Sequence, residues 1–241
     1  MKLTGLILTY NCEALVQKAI DKIPKNVLHE VICIDDASAD NTKEIIEKND
    51  IQFFTHEHMG YGGNLFEGLK IAFDRDATHA VEIHGDGQYD LSKIIDTISL
   101  LSHDQKIDLI LGNRFYDYKK PLENGMDLIK YFGNIGVTFM ASLGLGIRFR
   151  DLFPGYRVYS KNFYETLNFD KLSKFYWFSF EIIALSVFNK LNIKAIPADC
   201  DYKSDHTSMS MWKGFPFIWH TFKTIVQFRL AKYNIKTGIF K

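Results

Sequence analysis

The sequence is short of cysteine, of net charge and of any long apolar run, and each shortage removes a class of protein. Its three cysteines, Cys12, Cys33 and Cys200, lie scattered without CxxC or HxH spacing. A disulfide scaffold and the common zinc sites are thereby excluded, and a reduced, cytoplasmic protein is expected. Lys plus Arg and Asp plus Glu number 29 each, so no global field selects nucleic acid. The nearest approach to a membrane span, residues 133–147, is too short and is broken by Asn134, Thr138, Ser142 and several glycines. No signal peptide is read at the start, where Met1-Lys2 leads straight into a strand-like run. One absence is local: no Asp or Glu follows Asp205, yet Lys213, Lys223, Arg229, Lys232, Lys236 and Lys241 do.

What is present is a globular composition, 46% hydrophobic and 24% charged over 241 residues, enough for one large domain or one domain with an appendage. Short apolar runs at Leu3–Thr9, 27–34, 51–55, 78–83 and 106–111 read as strands. Between them, helical spacing recurs at 13–23, 43–48, 65–73 and 91–101. Such alternation predicts an α/β fold with a mostly parallel sheet covered by helices on both faces. Further on, residues 128–147 and 175–191 read as helices, and Val158-Tyr159 and 193–196 as strands.

In a parallel sheet the strand ends gather on one rim, where ligands bind. That rim would hold Thr9-Tyr10-Asn11, Asp35-Asp36, the loop from Gly60 through Gly62 to Asn64, and His84-Gly85-Asp86-Gly87-Gln88. Tyr10 could stack on a base, and Asp35 or Asp36 could accept hydrogen bonds from base or ribose. Helix capping by Asp35-Asp36-Ala37-Ser38 is the competing reading. Asp86, flanked by glycines, suits a hard divalent cation that keeps water and phosphate oxygens, although a tight turn would also place an Asp there. Gly60-Tyr61-Gly62-Gly63 is not a dinucleotide fingerprint, because Leu65 stands where the last glycine should be. His56, Glu57 and His58 fit no common zinc spacing.

In order and spacing these residues resemble glycosyltransferase family 2, of GT-A fold, and within it the polyprenyl-phosphate sugar synthases (the dolichol-phosphate mannose and glucose synthase group). Leu8-Thr9-Tyr10-Asn11 resembles the family's Pro-Thr-Tyr-Asn without its proline. The run Asp35-Asp36-Ala37-Ser38-Ala39-Asp40-Asn41-Thr42 is similar to DDGSxDGT, with Ala37 and Asn41 in glycine positions. The Gly60 loop resembles N-x-G-x-G, with His58 for Asn, and His84-Gly85-Asp86-Gly87-Gln88 falls on Asp-Ala-Asp-x-Gln. Gly112-Asn113-Arg114-Phe115 matches Gly-Ser-Arg-Phe, residues 151–157 match D-x-x-S-G-F-R, and Lys203 with Ser208 falls on R-x-x-G-x-S-K. The resemblance spans residues 3–213.

It implies an inverting hexosyltransferase using a UDP- or GDP-sugar donor and Mg²⁺ or Mn²⁺ held by Asp86 and Gln88, with His84 in place of a carboxylate. It divides the chain into a domain of residues 1–210, whose nucleotide-binding half is 1–112 and acceptor half 113–210, and an apolar-basic helical segment at 211–241. Lys203 and Ser208 would meet the diphosphate, Lys203 as a point charge where the family has an arginine fork. A polyprenyl-phosphate acceptor is ionised near neutrality, its second pKa being about 6, and needs a cationic cradle, a role that falls on Arg114 and Lys130 with Asn134 nearby. An ordinary ion pair for Arg114 and a solvated helix face for Lys130 are the competing reading. A glycan hydroxyl acceptor would instead need a base, for which Asp151 and Glu181 are the carboxylates left. The basic, aromatic segment from Met211 to Phe240 suits a peripheral membrane surface at the cytoplasmic face; a terminal helix pair or a homo-oligomer contact would give the same pattern. A non-catalytic nucleotide-sugar-binding protein is the contrasting class, suggested by His84 alone.

Overall fold

The computed structural model describes residues 1–203 and 211–241. Its elements run β1 (Leu3–Thr9), α1 (Val16–Asp21), β2 (Glu30–Asp35), α2 (Thr42–Lys48), β3 (Gln52–Thr55), α3 (Tyr61–Asp74) and β4 (His79–His84). They continue with α4 (Lys93–His103), β5 (Leu109–Asn113), α5 (Lys120–Glu123), α6 (Leu128–Leu145), β6 (Arg157–Ser160) and α7 (Lys161–Thr166). After these come α8 (Phe178–Phe188), β7 (Ile193–Pro197) and α9 (Met211–Ala231).

Among the described residues the strands form one sheet in the order β3-β2-β1-β4-β6-β5-β7. All neighbours are parallel except β6, which lies antiparallel between β4 and β5. β1 sits at the centre of the parallel part and every one of its residues is buried, because a central parallel strand is covered on both faces. Alternate residues serve the two faces: Leu6, Leu8, Ile32 and Ile34 pack toward α3 and α8, and Ile7, Cys33, Val81 and Ile83 toward α1 and α4.

The helix ends differ from the sequence expectation for local reasons. α1 starts at Val16, not at residue 13, because Glu13 is tied to the neighbouring loop: its N–H donates to Asp40 Oδ2 and its carboxylate accepts from Asn41 N–H. α3 starts at Tyr61, four residues earlier than expected, because the carbonyl of Lys174 takes the Gly62 and Gly63 N–H groups. No side chain caps this helix start, and a passing backbone carbonyl satisfies its free N–H groups instead.

Where a terminal helix pair was one reading of the C-terminal segment, the described part is one long helix. α9 packs beside α6 and α8, and Phe217, Ile225, Phe228 and Ala231 are buried. Gly144 allows the close approach of α6: a Cβ there would lie 2.5 Å from Ile225. The chain then turns so that Phe240 meets Phe188 and Phe228, with ring centroids 5.3 and 5.9 Å apart.

Candidate active site

The rim at the ends of β1 and β2 is built from backbone groups held by carboxylates. Asp35, 1% exposed, accepts from Thr9 Oγ1 at 2.7 Å, from Ser38 N at 2.7 Å and from Ser38 Oγ at 2.5 Å. Asp36, 2% exposed, accepts from Met59 N at 2.6 Å and Gly60 N at 2.9 Å, with His58 Nδ1 at 2.9 Å. Both carboxylates thus fasten loops to the rim. Neither caps α2, whose N-cap residue is Asn41, and Thr9 acts on Asp35 from inside. Asn11 bonds the same loop, through Ser38 Oγ to its N–H and through its Oδ1 to Ala39 N. What this frame offers outward is Tyr10, 52% exposed and packed on His58 with ring centroids 4.6 Å apart.

The glycines of the Gly60 loop answer to packing. A Cβ on Gly60 would lie 3.0 Å from Lys174 O, and one on Gly62 would lie 2.8 Å from Ser173 O. Gly60 also holds φ +85°, a region natural only to glycine.

Asp86 follows β4, 8% exposed, and accepts from Gln88 N through Oδ1 at 3.1 Å. Its second oxygen has no protein partner among the described residues, which fits a carboxylate offered to a cation. His84 does not join it. Its Nε2 faces Glu82 Oε1 at 3.1 Å and Tyr61 Oη at 3.0 Å, and no cluster of three His, Cys, Asp or Glu with metal-binding geometry occurs among the described residues. Burial pulls the His84 pKa down, but the hydrogen bond and charge of Glu82 outweigh it and hold the imidazole above its usual value. With Nε2 engaged by Glu82 and Tyr61, His84 is turned to the network beneath it. Of the expected set Asp86, Gln88 and His84, it is Asp86 that carries an oxygen unpartnered among the described residues, with Gln88 beside it. Glu82 anchors a buried network that the sequence reading missed. Tyr61 and Tyr159 both donate to it, Tyr159 at 2.6 Å. Burial would raise the Glu82 pKa; His84 and Arg157 overcome that and lower it.

Beside this network lies a cavity of 490 Å³ between the sheet, α6 and the start of α9. Arg114, Lys130, Arg157, His84 and Gln88 line it, and no Asp or Glu does among the described residues. Arg114 is clamped by Asp151: Nε to Oδ2 is 2.6 Å, Nη2 to Oδ1 is 2.9 Å, and Arg114 N reaches Oδ2 at 3.1 Å. Its outer nitrogens reach Tyr202 Oη at 3.0 Å and Asn134 Oδ1 at 3.2 Å. Burial opposes the charge on Arg114, but Asp151 prevails and raises its pKa. Asp151, 1% exposed, also accepts from Phe153 N. Four donors thus meet the two oxygens of Asp151, an arrangement that suits a clamp on Arg114 better than a base. Lys130, on the first turn of α6, shares the cavity with Arg114.

Glu181, the other carboxylate considered as a base, does not line this cavity. Its Oε1 pairs with His220 Nε2 at 2.7 Å and its Oε2 accepts from Ser173 N at 2.8 Å. Lys203 lines a separate 570 Å³ cleft with Asp199 and Asp201, joined to the cavity through Gln88, which lines both. Ser208 lies outside the described residues. The structure therefore gathers Arg114, Lys130, His84 and Gln88 at the cavity, and Tyr10, Asn11, Asp35, Asp36 and Gly60 at the neighbouring rim.

Residues 6–167 match the family model described as Glycosyl transferase family 2. The chain is 30% identical over 233 residues to a UDP-N-acetylglucosamine–dolichyl-phosphate N-acetylglucosaminyltransferase of Methanococcus voltae, covering 88% of this chain and 90% of that one. It is 24% identical over 156 residues to the glycosyltransferase AglJ of Haloferax volcanii, covering 64% and 48%. Among solved structures, glucosyl-3-phosphoglycerate synthase from Mycobacterium tuberculosis with phosphoglyceric acid superposes at TM-score 0.69 with 16% identity, over 98% of this chain and 81% of that one. The same enzyme with Mn²⁺, UDP and its product superposes at TM-score 0.64 and 15% identity, over 98% and 81%. At such identity the likeness establishes a shared GT-A fold.

Proposed function

The chain belongs to glycosyltransferase family 2, as an inverting glycosyltransferase, and on that premise we propose that it moves a hexose from a UDP- or GDP-sugar to a polyprenyl phosphate at the cytoplasmic membrane face. The observation that carries this reading is the cavity lining: three guanidinium or ammonium groups, a histidine, and no carboxylate among the described residues. A hydroxyl acceptor needs a base to take its proton. An ionised phosphate needs none, and asks for cations and fixed geometry. The Methanococcus voltae relative is named for a dolichyl-phosphate acceptor, which supports the same choice.

In this mechanism a phosphate oxygen of the acceptor attacks the anomeric carbon, and the bond from that carbon to the diphosphate breaks. Arg114, aimed by Asp151, and Lys130 hold the attacking phosphate. Tyr10 stacks on the base above the loops that Asp35 and Asp36 secure. Asp86, with Gln88, is the residue to hold Mg²⁺ or Mn²⁺, which when bound would neutralise charge on the departing diphosphate.

Membrane contact is supported by two adjoining faces. On α6, Leu128, Ile129, Phe132, Phe139 and Leu143 are 59 to 70% exposed and share one stripe at helical spacing. On α9 the stripe is Phe215, Ile218, Trp219, Phe222, Val226 and Leu230, flanked by exposed Lys223 and Arg229. Arg229 also donates to Leu143 O, joining the two helices. Among the described residues α6 alone is long and apolar enough to cross a bilayer, yet its other face buries Tyr131, Thr138, Ala141 and Leu145 in the protein. A helix with that division lies along an interface. The α9 segment carries basic residues without acidic ones, which favours anionic lipid over a second copy of the same face, and Ile129, Val137, Phe215 and Ile218 of the two helices line the cavity.

The test is transfer of label from UDP- and GDP-sugars, with Mn²⁺, to polyprenyl phosphate in vesicles. Label should enter the organic phase with the lipid. Label passed only to soluble glycans, or no transfer at all, would overturn the reading.

A further inference from the structure

Glu181 belongs to neither cavity, yet it touches the elements that wall both substrate sites. It sits in the first turn of α8, 3% exposed. One oxygen meets His220 on α9, and Trp177 stacks on that imidazole with ring centroids 5.6 Å apart. His220 follows within one turn of Phe217 and Ile218, which line the acceptor cavity. The other oxygen holds Ser173 N. The carbonyl of the next residue, Lys174 O, accepts from Gly62 N at 2.8 Å and Gly63 N at 3.3 Å at the start of α3. Just before that start, Met59 and Gly60 are fastened to Asp36, beside the Tyr10–His58 stack. There is little slack along this line, since added Cβ atoms at Gly60 and Gly62 would meet the 173–174 backbone at 3.0 and 2.8 Å.

We propose that Glu181 is a positioning residue that sets the α9 wall of the acceptor cavity against the nucleotide rim. Seating α9 and ordering the Met59–Gly60 loop are then linked, because both depend on the two ends of one carboxylate. The proposal rests on the acceptor reading given above for what α9 walls, but the link to the rim can be measured with nucleotide alone.

The experiment uses the full chain and three variants, E181Q, E181A and H220A. UDP with Mn²⁺, and GDP as a second probe, are titrated by calorimetry, and kcat and KM are measured for donor and lipid phosphate. Gln keeps an oxygen for Ser173 N and an N–H for His220, so E181Q should remain within about 3-fold of wild type. E181A should weaken nucleotide binding and raise the acceptor KM, each on the order of 10-fold. H220A, remote from the rim, should still weaken nucleotide binding by about 3-fold or more. The proposal is overturned if E181Q loses kcat as fully as E181A at unchanged KM, the behaviour of a base. It is equally overturned if H220A leaves nucleotide affinity at the wild-type value, and that comparison stands whether or not E181A folds. If wild type binds nucleotide but transfers nothing to lipid phosphate, the acceptor reading fails while the H220A result still decides the link.

Discussion

Replacing Asp151 by Asn separates a clamp from a base. In the structure its carboxylate accepts from three nitrogens of Arg114 and from Phe153 N. An amide keeps the shape but turns one of the two oxygens into an N–H₂ group. Either orientation then sets that donor against two others. The substitution also leaves Arg114, 8% exposed, without its counter-charge. Breaking a buried ion pair from one side costs about 3–5 kcal/mol. In a domain of this size each kcal/mol moves the midpoint by about 2–4 °C, so D151N should melt roughly 6–20 °C lower. Arg114 should also lose its aim, raising the lipid-phosphate KM. The measurements are urea and thermal melts, with kinetics taken where the variant is folded. A base would behave otherwise, with kcat falling about 10²–10⁴-fold at unchanged stability. Wild-type melting with a loss confined to kcat would refute the clamp and bring back a hydroxyl acceptor.

Three further outcomes follow from single contacts. G62A should destabilise by about 1–3 kcal/mol, since its Cβ meets backbone oxygen at 2.8 Å, while G136A, with nothing within 4 Å, should stabilise α6 by up to about 1 kcal/mol; denaturant midpoints compare them. Y10A should leave the melting temperature unchanged and weaken nucleotide binding by roughly 1–3 kcal/mol, read by calorimetry. The Glu82–His84 pair predicts a pH window, because the folded pKa of Glu82 is lowered and that of His84 raised. The Glu82 contribution is complete above its ordinary 4.5 and lost as pH falls through the lowered value; that of His84 is complete below its ordinary 6.5 and lost as pH rises through the raised one. The excess melting temperature of wild type over E82Q, measured in EDTA, should therefore be greatest between pH 4.5 and 6.5; a flat difference across pH 3–9 would sink the pair.

Strands were legible because burial on both faces leaves an unmistakable apolar run, and Leu3–Thr9 is such a run. The place of β6 was not: Val158-Tyr159 reads as a strand, but nothing in four residues says that it enters antiparallel between β4 and β5. At the rim, residue type was legible and partner was not. Asp35 and Asp36 looked like ligand groups, yet their donors come from Thr9, Ser38, Met59 and Gly60, and Thr9 and Met59 lie more than twenty residues away. Glu181 was noticed as a spare carboxylate, and its partner His220 arrives from the last helix.

The His84 position shows how far local periodicity could have gone. Side chains in a strand alternate, so Glu82 and His84 share one face of β4 while Val81 and Ile83 share the other. A carboxylate in mid-strand must be paired where it is buried, and the nearest basic side chain on its face is two residues on. That reasoning alone assigns His84 to Glu82 before it assigns it to a metal, against the motif spacing that set it beside Asp86. Tyr61 and Tyr159, which complete the network, come from α3 and β6 and could be placed only by the fold. The histidine in a carboxylate's motif position is thus explained by the strand beneath it, which leaves Asp86 as the carboxylate on which the proposed cation site depends.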